Sequence, residues 1–306
     1  FIFTGLAVAV AFHAMLFNIG GEGQAAMGGL GIGLVALSLG GVIPAPFVIL
    51  LAILGSALFG AFWGVIPGYL QAKRGSHIVI TTIMFNFIAS SILIWLLAGM
   101  LMAPNQMSPE TVSFADGVVL FKIHEILNSM GFSVARSPLN ISFALALLCC
   151  FAVWVLIWRT RLGYRIRATG FSTKASTYAG YRPEWIIILV MAISGGLAGM
   201  MAVNEILGVQ HRVILNFTSG YGFTGIAVAL MGRNNPVGII FASLLFGALY
   251  QGGAELDFEF QTITRDMVVM IQGLIILFSG ALAYMFNPIL ERFFSANTPQ
   301  KEMLDG

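Results

Sequence analysis

The stretch WRTRLGYRIRATGFSTKASTYAGYRPE, Trp158 to Glu184, is the one long polar and cationic interruption in an otherwise apolar chain. It carries Arg159, Arg161, Arg165, Arg167, Lys174 and Arg182 against a single acid, Glu184. Small residues (Ala168, Gly170, Ala175, Ala179, Gly180) are set among these bases, which suits a short helix lying close to a partner surface. A chain that merely reversed direction here would need only a few residues. Length, charge and small residues together predict a loop that touches something in the cytosol.

Working outward, apolar runs abut this loop on both sides. Spans are predicted at about 1–17, 26–42, 46–70, 76–102, 139–158, 184–203, 236–252 and 265–286, with a shorter apolar piece at 221–232. About 20 apolar residues form a helix long enough to cross a hydrocarbon core. The chain is 58% hydrophobic and 9% charged, far below the roughly 25% charge of soluble domains. These features predict an all-α, polytopic membrane helical bundle, with residues 1–306 as one transmembrane domain. The 36 glycines agree, because small residues let helices approach closely where water supplies no driving force. A formal net charge of +2 gives no basic field for a nucleic-acid polymer. Cys149 and Cys150 are neighbours in a predicted helix and point to different sides, so they are not read as a disulfide. The sequence opens on Phe1 without a basic leader region, which does not resemble a signal peptide; an upstream span is expected to precede it.

Orientation follows from the lysines and arginines of the loops. Placing 159–183 inside also puts Lys73, Arg74, Arg233 and the tail (about 287–306, with Arg292 and Lys301) inside. Of the 15 bases, only Lys122, Arg136, Arg212 and Arg265 then fall outside. The outer face receives 103–138, 204–220 and 253–264. The first of these holds a KIHEIL piece (Lys122 to Leu127) predicted as a short surface helix, and the last is acidic (Glu255, Asp257, Glu259). These segments are either a docking face for a soluble partner or ordinary solvated loops.

Two segments resemble each other. SALFGAFW (Ser56 to Trp63) and SLLFGALY (Ser243 to Tyr250) each follow a proline-bearing turn. Each is also preceded by a glycine-rich stretch opened by an asparagine, Asn18 in NIGGEGQAAMGG and Asn216 in NFTSGYGFTG. On the orientation above the copies run in opposite directions. That is the inverted repeat common among transporters, whose interrupted helices mark the pathway; chance similarity of Gly/Leu/Phe-rich spans is the alternative.

Candidate functional residues lie at these breaks. Gly20, Gly21 and Gly23 around Glu22 are expected to break regular helix, which is tolerated at membrane depth only where protein or a water-filled cavity satisfies the backbone. Glu22 is then a pathway residue, since intramembrane acids are costly, or else a solvated residue of a tight turn. Thr82, Asn86 and Ser90 are four apart and share a helical face; they line a polar pathway or hydrogen-bond to neighbouring helices. Asn18, Glu22, Gln24, Asn86, Asn216, Tyr221 and Phe223 form the candidate pathway set, and Asn204 and Glu205 follow the 184–203 span. No catalytic constellation is present. The sequence has no phosphate-loop, G-x-S-x-G or H-E-x-x-H motif, and its four histidines lack metal-ligand spacing.

Three motifs carry a family resemblance: FNIGGEGQ (Phe17 to Gln24), RLGYRIRATGFSTKASTYAGY (Arg161 to Tyr181) and GYGFTGIAVALMGRNNP (Gly220 to Pro236). They resemble the permease subunits of bacterial ABC importers for nucleosides and simple sugars, the branch related to ribose and branched-chain amino-acid permeases. The resemblance runs from Phe1 to about Glu291. It implies a multi-pass protein of the bacterial cytoplasmic membrane with three partners: a cytosolic ABC ATPase, a second permease subunit (a distinct homologous chain) and an extracytoplasmic solute-binding protein. ATP and magnesium would belong to the ATPase, with no cofactor in this chain. The coupling loop it implies covers Gly163, Tyr164, Arg167, Ala168, Gly170, Ala175, Ala179 and Gly180. Relatives often carry asparagine within Phe171 to Lys174 and glutamate at Lys174, a local departure in this chain.

The function expected is inward translocation of a neutral nucleoside, or a simple sugar, by alternating access. An ion-coupled secondary transporter or channel is the competing class; it leaves the cationic loop without a role. An intramembrane enzyme lacks any acid/base or metal cluster.

Overall fold

The computed structural model describes residues 1–104, 106–259, 267–275, 277 and 278. Two compact units divide the chain at Leu244/Leu245, and the first holds the cationic loop and both glycine-rich stretches. Helices α1 (Ile2–His13), α2 (Gly21–Leu39), α3 (Ala45–Arg74) and α4 (Ile78–Gly99) come first. After an outer segment carrying the short α5 (Ile123–Ser129), α6 (Ser142–Trp154) ends in a π turn, Val155–Arg159. The polar loop forms α7 (Arg161–Phe171) and α8 (Thr173–Tyr178). Then follow α9 (Pro183–Gly199), a π segment (Val203–Gln210), α10 (Tyr221–Met231) and α11 (Pro236–Glu259). Among the described residues extended pairing is confined to isolated bridges, so the all-α expectation holds.

Among the described residues, five stretches are long and apolar enough to cross a membrane: 45–74, 78–99, 142–159, 183–210 and 236–259. Their outward faces carry large apolar side chains in the open, among them Phe62 on α3, Phe87 and Trp95 on α4 and Phe151 on α6. A soluble protein rarely exposes so broad an apolar surface; in a bilayer it is the favourable outer face.

The centre is a seam of glycines between α3 and α9. A Cβ on Gly60 would strike the backbone of Gly195 and Gly199, one on Gly64 the backbone of Met191 and Gly195, and one on Gly199 the backbone of Ser56 and Gly60. Ser56 Oγ donates to the Gly199 carbonyl at 2.6 Å across the same seam. Two small-xxx-small pairs, Gly60/Gly64 and Gly195/Gly199, thus bring two backbones into contact, where dispersion and a polar bond replace the missing hydrophobic drive. Gly28 of α2 also closes on Gly199.

The loops gather at two ends, called inner and outer after the orientation expected from the charge pattern. At the inner end, Lys73 pairs with Glu184, Gly170 of α7 abuts the backbone of His13 and Ala14, and the ring of His13 meets Trp158 edge-on at 5.0 Å. At the outer end, residues 106–120 do not form a free loop. Thr111, Phe114 and Leu120 donate backbone N–H groups to Val213, His211 and Leu207 at 2.9–3.0 Å, and Phe114, Val118 and Leu120 are buried. Arg212 and Glu110 form an ion pair at 3.0 Å there.

Several boundaries differ from the sequence reading. α2 begins at Gly21 rather than about 26, because its polar first turn is buried and satisfied. α11 runs on to Glu259, so Glu255, Asp257 and Glu259 are helical rather than part of a loop. The KIHEIL piece is the start of α5, as expected. The predicted span 265–286 is described only at 267–275, 277 and 278, which are helical; Arg265 and the tail at 287–306 lie outside the described residues.

Candidate functional site

The chain does not continue as a helix between α1 and α2. Met15 takes a left-handed conformation (φ 54°), and Leu16–Ile19 run back non-helically into the protein. The break expected over Gly20, Gly21 and Gly23 therefore lies just upstream, at 14–20. Gly20 caps α2, and Gly21 and Gly23 sit in its first turn. Their lack of side chain serves close approach instead. A Cβ on Gly23 would meet the Asn86 backbone at 2.8 Å, and one on Gly21 would touch Gly222.

This brings the N-terminus of α2 against the N-terminus of α10. The two helices then diverge. α2 runs to the outer end, passing Phe217 at Gly29 and Val213 at Gly33. α10 runs to the inner end, where the Asn234 carbonyl meets His13 Nε2 at 3.2 Å. Eleven helical residues make α10 roughly 16 Å long, and that length separates the junction from the His13 contact. The two glycine-rich stretches singled out as repeat halves thus meet head to head and point opposite ways.

Glu22 bridges them. One carboxylate oxygen accepts from Gly220 N and the other from Gly222 N, both at 2.8 Å, so the carboxylate caps the positive end of α10. The loop leading to that cap carries three left-handed residues, Asn216 (φ 57°), Ser219 (φ 44°) and Gly220 (φ 79°). Asparagine tolerates this region and glycine favours it; serine at φ 44° is strained by comparison.

The remaining amides split into two groups. Asn18, Gln24 and Asn86 are buried: Asn18 Nδ2 donates to Gln24 Oε1 and to Ser194 Oγ, each at 2.8 Å, and Ser194 Oγ donates to Ala7 O at 2.6 Å. Asn86, 6% exposed, accepts from Gly23 N at 2.9 Å and donates to Ile19 O at 3.0 Å. These side chains satisfy the broken backbone as the rule for buried polar groups demands. Thr82 is buried and donates to Ile78 O at 2.8 Å, whereas Ser90 is exposed. Asn216 and Phe223, by contrast, are exposed, with Glu22 and Tyr221 half-buried beside them. Tyr221 meets Phe1 edge-on at 5.4 Å. Around the junction the candidate set therefore forms a satisfied inner layer and an open face of Asn216, Tyr221 and Phe223. Ser194 is the member that sequence reasoning missed; as a serine in an apolar span, two residues after Ala192, it carried no signal beyond its polarity.

Asn204 joins a different cluster. Its Oδ1 accepts from Asn140 Nδ2 and Ser142 Oγ, both at 3.0 Å, and its Nδ2 donates to Glu205 Oε1 at 3.0 Å. It ties the start of α6 to the π segment at the outer side.

The cationic loop is two helices, not one. Thr160 Oγ1 accepts from Gly163 N to cap α7, and Ser172 Oγ accepts from Ala175 N to cap α8. Ser172 is extended (φ −158°) and makes the corner, while Thr169 and Ser176 share a hydrogen bond at 2.9 Å that folds the pair together. One face is buried: Gly163 sits against the carbonyls of Leu156 and Ile157, Ile166 is fully buried, and Gly170 lies on the end of α1. Arg167 and Ala168 are half-buried on the flank. The other face is open, with Tyr164, Ala175, Ala179 and Gly180 exposed and with Phe171 at 90% and Tyr178 at 96% exposure.

Residues 1–280 match the family described as the permease component of the branched-chain amino acid transport system. The chain belongs to this permease family. It is similar to the guanosine ABC transporter permease of Bacillus subtilis, 34% identical over 91% of this chain and 77% of the relative. It is also similar to the nucleoside ABC transporter permease of Lactococcus lactis (35%, covering 90% and 75%) and to the glucose ABC transporter permease of Haloferax volcanii (32%, covering 90% and 72%). No solved structure shows a significant match. The protein is accordingly a multi-pass transport permease, and the apolar spans among its described residues are those of an integral membrane subunit.

Proposed function

We propose that this permease works as the membrane half of an ATP-driven importer that moves a neutral nucleoside into the cytosol. The observation that carries the reading is the α7–α8 pair. Its buried face is fixed to the end of α1, while its open face leaves Phe171 and Tyr178 exposed, uncovered by any described element of this chain. Such a pair suits docking to a separate ATPase, which would bind ATP and magnesium. A second, homologous permease chain and an extracytoplasmic binding protein complete the assembly. The solute route follows the open face of the half-helix junction. There Tyr221 and Phe223 offer ring faces, and Asn216 offers an amide that can both donate and accept.

Nucleoside is preferred because two of the relatives above are named for guanosine or nucleosides. A simple sugar is the second reading, favoured by the glucose permease at comparable identity. The test is competition uptake in vesicles holding the whole assembly. Unlabelled adenosine, guanosine or uridine should compete for uptake and their monophosphates should not. Full competition by ribose or glucose, with none by nucleosides, selects the sugar reading.

A further inference from the structure

A helix N-terminus with free amides is a ready anion site, and the junction offers such an end at α10 beside the open face. In this protein the end is already filled. Both carboxylate oxygens of Glu22 are engaged by Gly220 N and Gly222 N at 2.8 Å. The fit is built from both sides. Gly222 has no room for a side chain, since its Cβ would lie 2.6 Å from Glu22 Cα and 2.7 Å from the carboxylate. The preceding Asn216–Gly220 loop holds three left-handed residues that turn these amides toward Glu22. No lysine or arginine among the described residues pairs with Glu22, so the α10 amides supply its positive partner. The carboxylate is also only half-buried, which leaves it next to exposed Asn216, Ser219 and Phe223.

We propose that Glu22 is a resident anion that closes the α10 N-terminus and so makes the junction reject anionic solutes. A neutral solute meets amides and rings there. A phosphate or carboxylate group meets an occupied anion site and a fixed negative charge. The selectivity part rests on the pathway reading above; the occupancy part does not.

The test therefore has two arms. In the first, thermal unfolding of the purified permease is followed with and without formate, a carboxylate small enough to replace the Glu22 head group, against an equal concentration of chloride. Glu22→Ala should melt several degrees below wild type in chloride and recover much of the loss in formate. Wild type and Glu22→Gln should show no such response, because their side chains still fill the site. Equal melting of Glu22→Ala and wild type, or no formate response in Glu22→Ala, overturns the occupancy. If Glu22→Ala cannot be purified in either salt, Glu22→Gln decides: its amide N–H groups cannot accept from both Gly220 and Gly222, so it should melt below wild type, and equal melting overturns the proposal.

The second arm uses the reconstituted assembly. Inorganic phosphate should inhibit neutral-solute uptake through Glu22→Ala while leaving wild-type uptake unchanged. Equal phosphate sensitivity in both overturns the selectivity. If wild type carries neither a nucleoside nor a sugar, the pathway reading fails while the formate result still stands on its own.

Discussion

His13 Nε2 lies 3.2 Å from the carbonyl oxygen of Asn234, tying the last turn of α1 to the turn that follows α10. A carbonyl only accepts, so Nε2 carries the proton. The same His13 contributes its own carbonyl to the floor on which Gly170 of α7 rests, and its ring meets Trp158. One residue thus joins the α7–α8 pair, α1 and the inner end of α10, whose other end is capped by Glu22. Gly170→Val should drive a side chain into the His13–Ala14 backbone, at a cost of about 1–3 kcal/mol for overpacking, and tilt α7 away. In the assembled importer, solute-stimulated ATP hydrolysis should fall several-fold while the basal rate persists. Unchanged stimulation in a correctly assembled variant would break this link.

The exposed face of α8 gives a sharper variant. Ala179 is open and its backbone N–H already closes the helix onto Ala175 O at 3.0 Å. Ala179→Arg should therefore insert and fold normally. It should fail to retain the ATPase during co-purification, because the added side chain stands where a partner surface must approach. Retention at the wild-type level removes Ala175 and Ala179 from the docking face.

At the junction, Glu22 and Asn86 part company. In a background with Cys149 and Cys150 replaced, Glu22→Cys should react with a small water-soluble thiol reagent. Asn86→Cys should be slower by about ten-fold or more, on the order of the difference between a half-open and a closed site. Removing the Asn86 amide strands Gly23 N and Ile19 O, which should destabilise the fold by about 1–3 kcal/mol. Equal labelling of both positions would place Asn86 on the solute route.

The α3–α9 seam should be the least tolerant region. Gly60→Ala and Gly195→Ala each put a methyl against opposing backbone and should lower the melting temperature more than Gly99→Ala, where nothing lies within 4 Å. A cost of about 1–3 kcal/mol per site is expected. A Gly60→Ala melt indistinguishable from that of Gly99→Ala would show that the helices part easily.

How far the sequence reveals all this depends on the range of the interaction. The spans at α3, α4 and α6 are legible because lipid-facing positions such as Phe62, Phe87 and Phe151 keep them continuously apolar. The start of α2 is not. Glu22 and Gln24 look like loop residues until their partners are known, and the partners of Glu22 (Gly220 and Gly222) lie in a distant part of the chain, while Gln24 pairs with Asn18. Glycine is ambiguous in the same way. Gly21 and Gly23 read as helix breakers, yet they are helical and mark where Gly222 and Asn86 come close. The seam is signalled only by four-residue spacing, Gly60/Gly64 and Gly195/Gly199, and that spacing names a contact face without naming its partner. The polar stripe Thr82/Asn86/Ser90 likewise gives a face; the structure turns Thr82 and Asn86 inward and leaves Ser90 outside.

The seam has one more consequence. Where two backbones touch through glycine, there are no side chains to re-pack, so α3 and α9 have no set of alternative rotamers through which to slide past one another. They form a single stiff keel. Any rocking that opens the protein first to one side and then to the other must be taken up off the keel. The segments placed to bend are those where the chain has already given up α-helical continuity: the non-helical stretch before Gly21, the left-handed loop before Tyr221 and the π turn before Thr160.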